Sequence, residues 1–191
     1  MIYIKLYDEF KYKDVIGKGI EHIAYHIDDN WILKIPKLPK YSSYGTKTEF
    51  MISNFNNHIN FMKAHPEICV KVKKLDKYRA SVERVDVAKA KQELKHVYNI
   101  FKMIVRKYEL WDDIQSDDIF ILANIYNDTD DEILPKIMEG LKLYAETDMI
   151  IKKWYEFLLK LFAEFPDRRF LDLHSGNIGI DKNGNIKLID F

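Results

Sequence analysis

A single cysteine, Cys69, stands among the 191 residues. A lone cysteine excludes an intramolecular disulfide framework and a cysteine-based zinc site, and it fits a reducing compartment. No charge of one sign is in excess, because 30 Lys and Arg balance 30 Asp and Glu. That balance argues against an overall basic nucleic-acid binder and leaves room only for a local patch. No apolar run approaches the length of a bilayer span; Ile119 to Ile125 is far too short. The N-terminus, Met1 to Glu9, lacks the basic and apolar regions of a signal peptide. The chain therefore reads as soluble and cytoplasmic, with neither a membrane nor a nucleic acid expected as partner. Disorder is excluded as well, since 47% of the residues are hydrophobic and the formal net charge is zero. The length suits one ordinary domain or two small lobes.

What is present changes character near residue 86. Before it, short runs broken by turns read as strands. Ile20 to Ile27 and Trp31 to Ile35 flank Asp28-Asp29-Asn30, a hairpin turn. Glu67 to Leu75 and Tyr78 to Val85 read as a second pair around Asp76-Lys77. Between the two pairs, Thr46 to Phe61 reads as a helix, with Phe50, Met51, Phe55, His58 and Ile59 at helical spacing. After residue 86 the pattern is helical. Val87 to Tyr108 gathers Leu94, Val97, Ile100, Phe101, Ile104 and Val105 on one side, opposite a solvated lysine face. Helices are expected over 117–126, 130–145 and Asp148 to Phe165, the last stopped by Pro166. Its apolar residues, Ile151, Trp154, Tyr155, Leu158, Leu159 and Phe162, read as core. Two short strands follow, Asn177 to Ile180 and Ile186 to Ile189, joined by a turn at Asn183-Gly184. The six histidines form no metal-binding pair; His22 and His26 lie in a strand region rather than on a helix.

Most of the chemical information lies in Leu171-Asp-Leu-His-Ser-Gly-Asn-Ile-Gly-Ile180 and Ile186-Lys-Leu-Ile-Asp-Phe191. Phosphoryl transfer needs one carboxylate to orient the attacking hydroxyl and another to hold the metal that neutralises the triphosphate. Asp172 and Asn177 are five residues apart across a loop containing Gly176, and Asp190 follows Asp172 by eighteen. A loop and a returning hairpin can bring these three side chains to one point.

These residues resemble the protein-kinase-like superfamily, which includes protein kinases and aminoglycoside or choline phosphotransferases. Asp172-x-x-x-x-Asn177 is similar to its catalytic loop, and Asp190-Phe191 to the start of its Asp-Phe-Gly motif. His174 and Gly176 match the Asp-Leu-His-x-Gly-Asn form found in small-molecule kinases and in many bacterial or phage kinase-like proteins. The resemblance implies an α+β bilobal fold: an antiparallel sheet lobe with one helix over 1–85 and a mainly helical, shortened lobe over 86–191. It implies Asp172 as catalytic base and Asn177 and Asp190 as magnesium ligands, with ATP and Mg2+ as cofactors. Upstream, Gly17-Lys18-Gly19 sits where a glycine-rich loop over the phosphates belongs. Lys34 matches the strand lysine that pairs the phosphates, and Glu49 the helix carboxylate that pairs that lysine. Ser81 to Val85 resembles the hinge, with backbone near Glu83 and Val85 on adenine and Val82 as gatekeeper.

The sequence departs from the family pattern in several places. His22 stands where a third glycine belongs, and Phe170-Leu171 stand where His-Arg precedes the catalytic Asp. Without that arginine, activation by a phosphorylated loop is not expected. The sequence stops at Phe191, ahead of the activation segment, so the expectation is either a fragment or a short form with a rebuilt lobe. Residues 109–145 would then replace missing core, cap the substrate side or mediate oligomerisation, alone or with a host partner. The leading expectation is a phosphotransferase acting on a protein Ser/Thr or a small-molecule hydroxyl. The competing one is a nucleotide-binding or effector module with weak or no catalysis.

Overall fold

The computed structural model describes residues 15–18, 22–37, 45–110, 121–129, 131–166 and 171–190. The architecture is α+β, with a five-stranded antiparallel sheet and a set of helices with a separate hairpin. By their contacts the residues fall into two compact units. One holds residues up to Pro66 and Val70–Arg84; the other holds Glu67–Cys69 and everything from Val85 onward.

In the sheet unit the strands are β1 (Val15–Lys18), β2 (His22–His26), β3 (Trp31–Pro36), β4 (Val72–Lys74) and β5 (Ala80–Glu83), in the order β1-β2-β3-β5-β4. The β2–β3 turn forms as expected. Asp28 Oδ1 accepts the amides of Asn30 and Trp31, each at 2.8 Å, as an Asx turn does. β3 is central and is buried along nearly its whole length, so its burial does not alternate as an edge strand's would. Its register still separates two faces, because directly paired residues share a face. Ile23, Tyr25, Leu33 and Ile35 form an apolar cluster on one. Lys34, paired with Ala24 on one side and Ala80 on the other, lies on the opposite face.

Helix α1 (Gly45–Ala64) is longer than its apolar spacing suggested. It buries Phe55, Ile59 and Met62, while Phe50, expected on the same face, is 63% exposed. Phe55 and His58 pack at a tilt against His22 at the start of β2, with ring centroids 5.5 and 5.3 Å away. The expected strand Glu67 to Leu75 divides. Only Val72–Lys74 joins the sheet, and Glu67–Cys69 belongs to the other unit.

The helical unit contains α2 (Val87–Lys107), a short α3 (Ile121–Ala123) running into a π-turn (Asn124–Asp128), α4 (Leu134–Ala145) and α5 (Met149–Glu164). The six α2 residues expected inside are all buried. On α5 the buried set is Ile151, Trp154, Phe157, Leu158 and Leu161, which leaves Leu159 exposed and Tyr155 half-buried. The buried stripe therefore runs through Phe157 and Leu161 rather than Tyr155 and Leu159. One buried polar group crosses this packing. Glu93 of α2 accepts the Trp154 indole N–H at 2.9 Å and pairs with Lys153 at 2.5 Å, so its charge is not buried alone. Asp148 caps α5 through the amides of Ile150 and Ile151 and meets His96 of α2.

The hairpin strands β6 (Ile178–Ile180) and β7 (Ile186–Leu188) are bordered on both sides. Asp86 exchanges backbone bonds with Ile180, and its carboxylate caps α2 on the Lys89 amide at 2.8 Å. Across the hairpin, Leu188 N–H donates to Ile68 at 2.8 Å, and Lys187 Nζ donates to the Glu67 carbonyl at 3.1 Å. Burial pushes the Cys69 thiol beside it up to about 12, against the pull of Lys187, and the side chain is fully buried as a core residue.

Candidate active site

The loop before β6 is set by alternation. Leu171, Leu173 and Ser175 are buried, while Asp172 is exposed and His174 half-buried. Leu173 N–H donates back to the Leu171 carbonyl at 2.9 Å, a three-residue turn with Asp172 at its apex. A second turn follows, closed by Asn177 N–H on the His174 carbonyl at 2.9 Å. The two turns fold Asn177 back onto Asp172. Its Nδ2 reaches both the main-chain carbonyl and Oδ2 of Asp172, each at 3.1 Å.

His174 is held by the same loop. The Gly176 amide donates to its Nδ1 at 2.9 Å, and its Nε2 lies 3.7 Å from Asp172 Oδ2. An accepting Nδ1 carries no proton, so the ring proton sits on Nε2, facing the carboxylate. Gly176 cannot be replaced without disturbing this seat, because a Cβ there would lie 2.7 Å from the imidazole.

The hairpin brings the third residue back. Ile178 pairs with Leu188, and one step further Ile189 N–H donates to the Asn177 carbonyl at 2.8 Å. Asp190 follows directly in the chain. The hairpin's far end is fixed by Asp181, whose Oδ1 accepts the amides of Asn183 and Asn185 and whose Oδ2 accepts the Asn185 side chain. Burial opposes ionisation of Asp181, but these three bonds and nearby Lys187 outweigh it and hold its carboxyl below the usual range. The Asn183-Gly184 turn thus has a carboxylate hub that the dipeptide alone did not reveal. The residue types and spacing, Asp-x-Asn-x-Asn, carry that signal.

The sheet unit holds the remaining expected residues except Val85, which begins the helical unit. Lys34 is buried at 6% exposure between two alanines, and Glu49 is exposed on α1. Gly17 and Lys18 lie in β1 against Ala24 and Ile23, beside a bulge, while Gly19 falls outside the described residues, as does Phe191. Val82 is fully buried in β5. Glu83 is buried too. Its amide donates to the Lys71 carbonyl at 2.8 Å, and its carboxylate accepts the Lys71 amide at 3.3 Å. The Arg84 amide is used by Asn30. Among the described residues the next amide, that of Val85, donates no hydrogen bond.

Among the described residues no group of three or more His, Cys, Asp or Glu is gathered to hold a metal. The Asp190 carboxylate and Asn177 Oδ1 are hard oxygen donors of the kind Mg2+ takes, with phosphates and water completing its shell. With its Nδ2 turned to Asp172, Asn177 keeps Oδ1 as its acceptor end.

No family model matches the chain, and no curated protein matches it. Among solved structures, the streptomycin–ATP–APH(2")-IIa ternary complex aligns with 99% of this chain and 71% of that chain, at 15% identity and a TM-score of 0.30.

Proposed function

We propose that the protein is an ATP- and Mg2+-dependent phosphotransferase that moves a γ-phosphoryl group to a hydroxyl. The observation that carries the reading is the Asn177 amide bound to two oxygens of Asp172, with the hairpin tying Ile189 to Asn177. In this reading exposed Asp172 orients the acceptor hydroxyl and takes its proton. Asn177 and Asp190 hold Mg2+, which neutralises triphosphate charge when bound. Lys34 pairs the phosphates, Gly17, Lys18 and Gly19 lie over them, and backbone at Glu83 and Val85 meets adenine. The Val85 amide, which donates to none of the described residues, supports the last assignment, because such a donor is available to a ligand. Catalysis is then mainly positioning and electrostatics.

Our preferred acceptor is a protein Ser or Thr, since the sequence offers no second acidic cluster for a cationic small substrate. The test is incubation with labelled ATP and Mg2+, alone, with lysate protein and with a small-molecule extract, beside Asp172→Ala and Asp190→Ala. Transfer that disappears in both variants supports the reading, and the labelled fraction identifies the acceptor class. A second reading, a nucleotide-binding module without turnover, is favoured by the exposed position of Glu49. Stabilisation by ATP without any transfer selects it. Because Phe170 and Leu171 replace the usual His-Arg, activity is expected without phosphorylation, and mass spectrometry finding activity only in a phosphorylated form counts against this.

A further inference from the structure

The geometry points to His174 as a positioning residue that fixes which oxygen of Asp172 does the chemistry, an inference that rests on the phosphotransferase reading. Among the described residues the carboxylate is held on one side. Asn177 Nδ2 donates to Oδ2 at 3.1 Å, and His174 Nε2 faces that same oxygen at 3.7 Å. Among the described residues Oδ1 accepts nothing. An oxygen already engaged by donors is the poorer base, because accepting a proton there costs it those interactions. The open Oδ1 is therefore the atom that takes the hydroxyl proton as the hydroxyl oxygen bonds to the γ-phosphorus. The bond from that phosphorus to the β-phosphate oxygen breaks, and ADP leaves with the electron pair.

His174 is suited to this task because its own orientation is not left to chance. The Gly176 amide occupies Nδ1, which puts the proton on Nε2, and the missing Cβ of Gly176 makes room for the ring. A separation of 3.7 Å is beyond hydrogen-bond range but within reach of a small carboxylate rotation, and catalytic contacts of this kind commonly tighten in the substrate complex. The ring also limits that rotation, since turning the carboxylate by half a turn would exchange the two oxygens. With the Asn177 donor on Oδ2 and the imidazole facing the same oxygen, the Asp172 χ2 angle has one favoured setting rather than two.

Steady-state transfer by the full chain tests the role, with kcat and the KM for ATP measured for His174→Ala and His174→Gln. Gln reaches the Nε2 position with an amide N–H and so replaces the donor. We expect His174→Ala to lower kcat about 10- to 100-fold with KM for ATP unchanged, the size of a misplaced catalytic group, and His174→Gln to recover a large part. ATP-induced thermal stabilisation should be the same in all three proteins. An Ala variant as active as the parent overturns the role. So does a Gln variant no better than Ala with KM and thermal stabilisation lost together, because that pattern is loop collapse. Absence of transfer by the unmodified protein overturns the phosphotransferase reading itself, and the positioning role with it.

Discussion

Asp172 and Asn177 are five residues apart and meet through hydrogen bonds that the loop makes with itself. Lys34 and Glu49 are fifteen apart, on a strand and a helix, and one is buried while the other is exposed. The first arrangement is closed by local turns whose geometry follows from residue type. The second depends on where a helix packs, which nothing in the intervening residues dictates. A constellation built from short-range bonds can be read from spacing. One built from packing between elements cannot.

The largest effect that sharpens this contrast is kinetic. Asp172→Ala is expected to lower kcat about 10²- to 10⁴-fold, the range for losing a general base. On the proposed role of Lys34 in pairing the phosphates, Lys34→Met should act on the same scale in the same transfer assay. Glu49→Gln, by contrast, is expected to change kcat/KM by less than about fivefold, the range of an exposed ion pair. A Glu49 variant as damaged as the Lys34 variant would show that α1 carries this residue inward during turnover.

Next in size is a steric break of the hairpin. A Cβ on Gly179 would lie 2.2 Å from Val85 Cγ2, so Gly179→Ala overpacks β6 against the chain entering α2. A loss of about 1–3 kcal/mol is expected in chemical denaturation. Adding Val85→Ala should restore much of it, and a double variant as unstable as the single one removes the steric explanation.

The hairpin's carboxylate hub gives a smaller and pH-dependent effect. For both Asp181 and Asp148, burial raises the pKa but the bonds to the charged form lower it further. A depressed folded pKa contributes stability that is full above the unfolded value, about 4, and lost as pH falls through the folded value. Melting temperature should therefore hold down to about pH 4–5 and decline below it. Asp181→Asn should cost about 1–2 kcal/mol at neutral pH and flatten the acid decline. An unchanged acid profile in that variant would assign the decline to other groups.

The smallest effect concerns the end of α2. Glu109 sits at φ 57°, with its amide on Arg106 and the Leu110 amide on Val105, the paired bonds of a Schellman ending. Glycine is the residue that adopts this backbone without strain, so Glu109→Gly should stabilise by about 0.5–1 kcal/mol. A destabilised variant would mean that the Glu109 side chain contributes more than its strain costs.

Much of the helical unit was legible because its signals are local. The apolar period of α2 named its buried residues, and Asp172, Asn177 and the Asn183-Gly184 turn announced the loop and hairpin. Other features were not legible. The buried Glu93 reads in sequence as one charge among lysines, until Trp154 and Lys153 arrive from a helix some sixty residues away. The segment Glu67 to Cys69 has the composition of a sheet strand. It instead borders β7, because strand pairing over such distances is chosen by which edge is open.

By itself the sequence determined the α+β class, the periodic faces, the turns and the residues that meet inside one loop, since each depends on neighbours along the chain. Only the tertiary structure decided that Lys34 is buried between two alanines, that Glu49 is exposed, and that both edges of the β6–β7 hairpin are covered. It also decided that the Gly176 amide meets His174 Nδ1. Those outcomes depend on which surfaces are left to bury once the local pieces have formed, and that competition is settled across the whole chain.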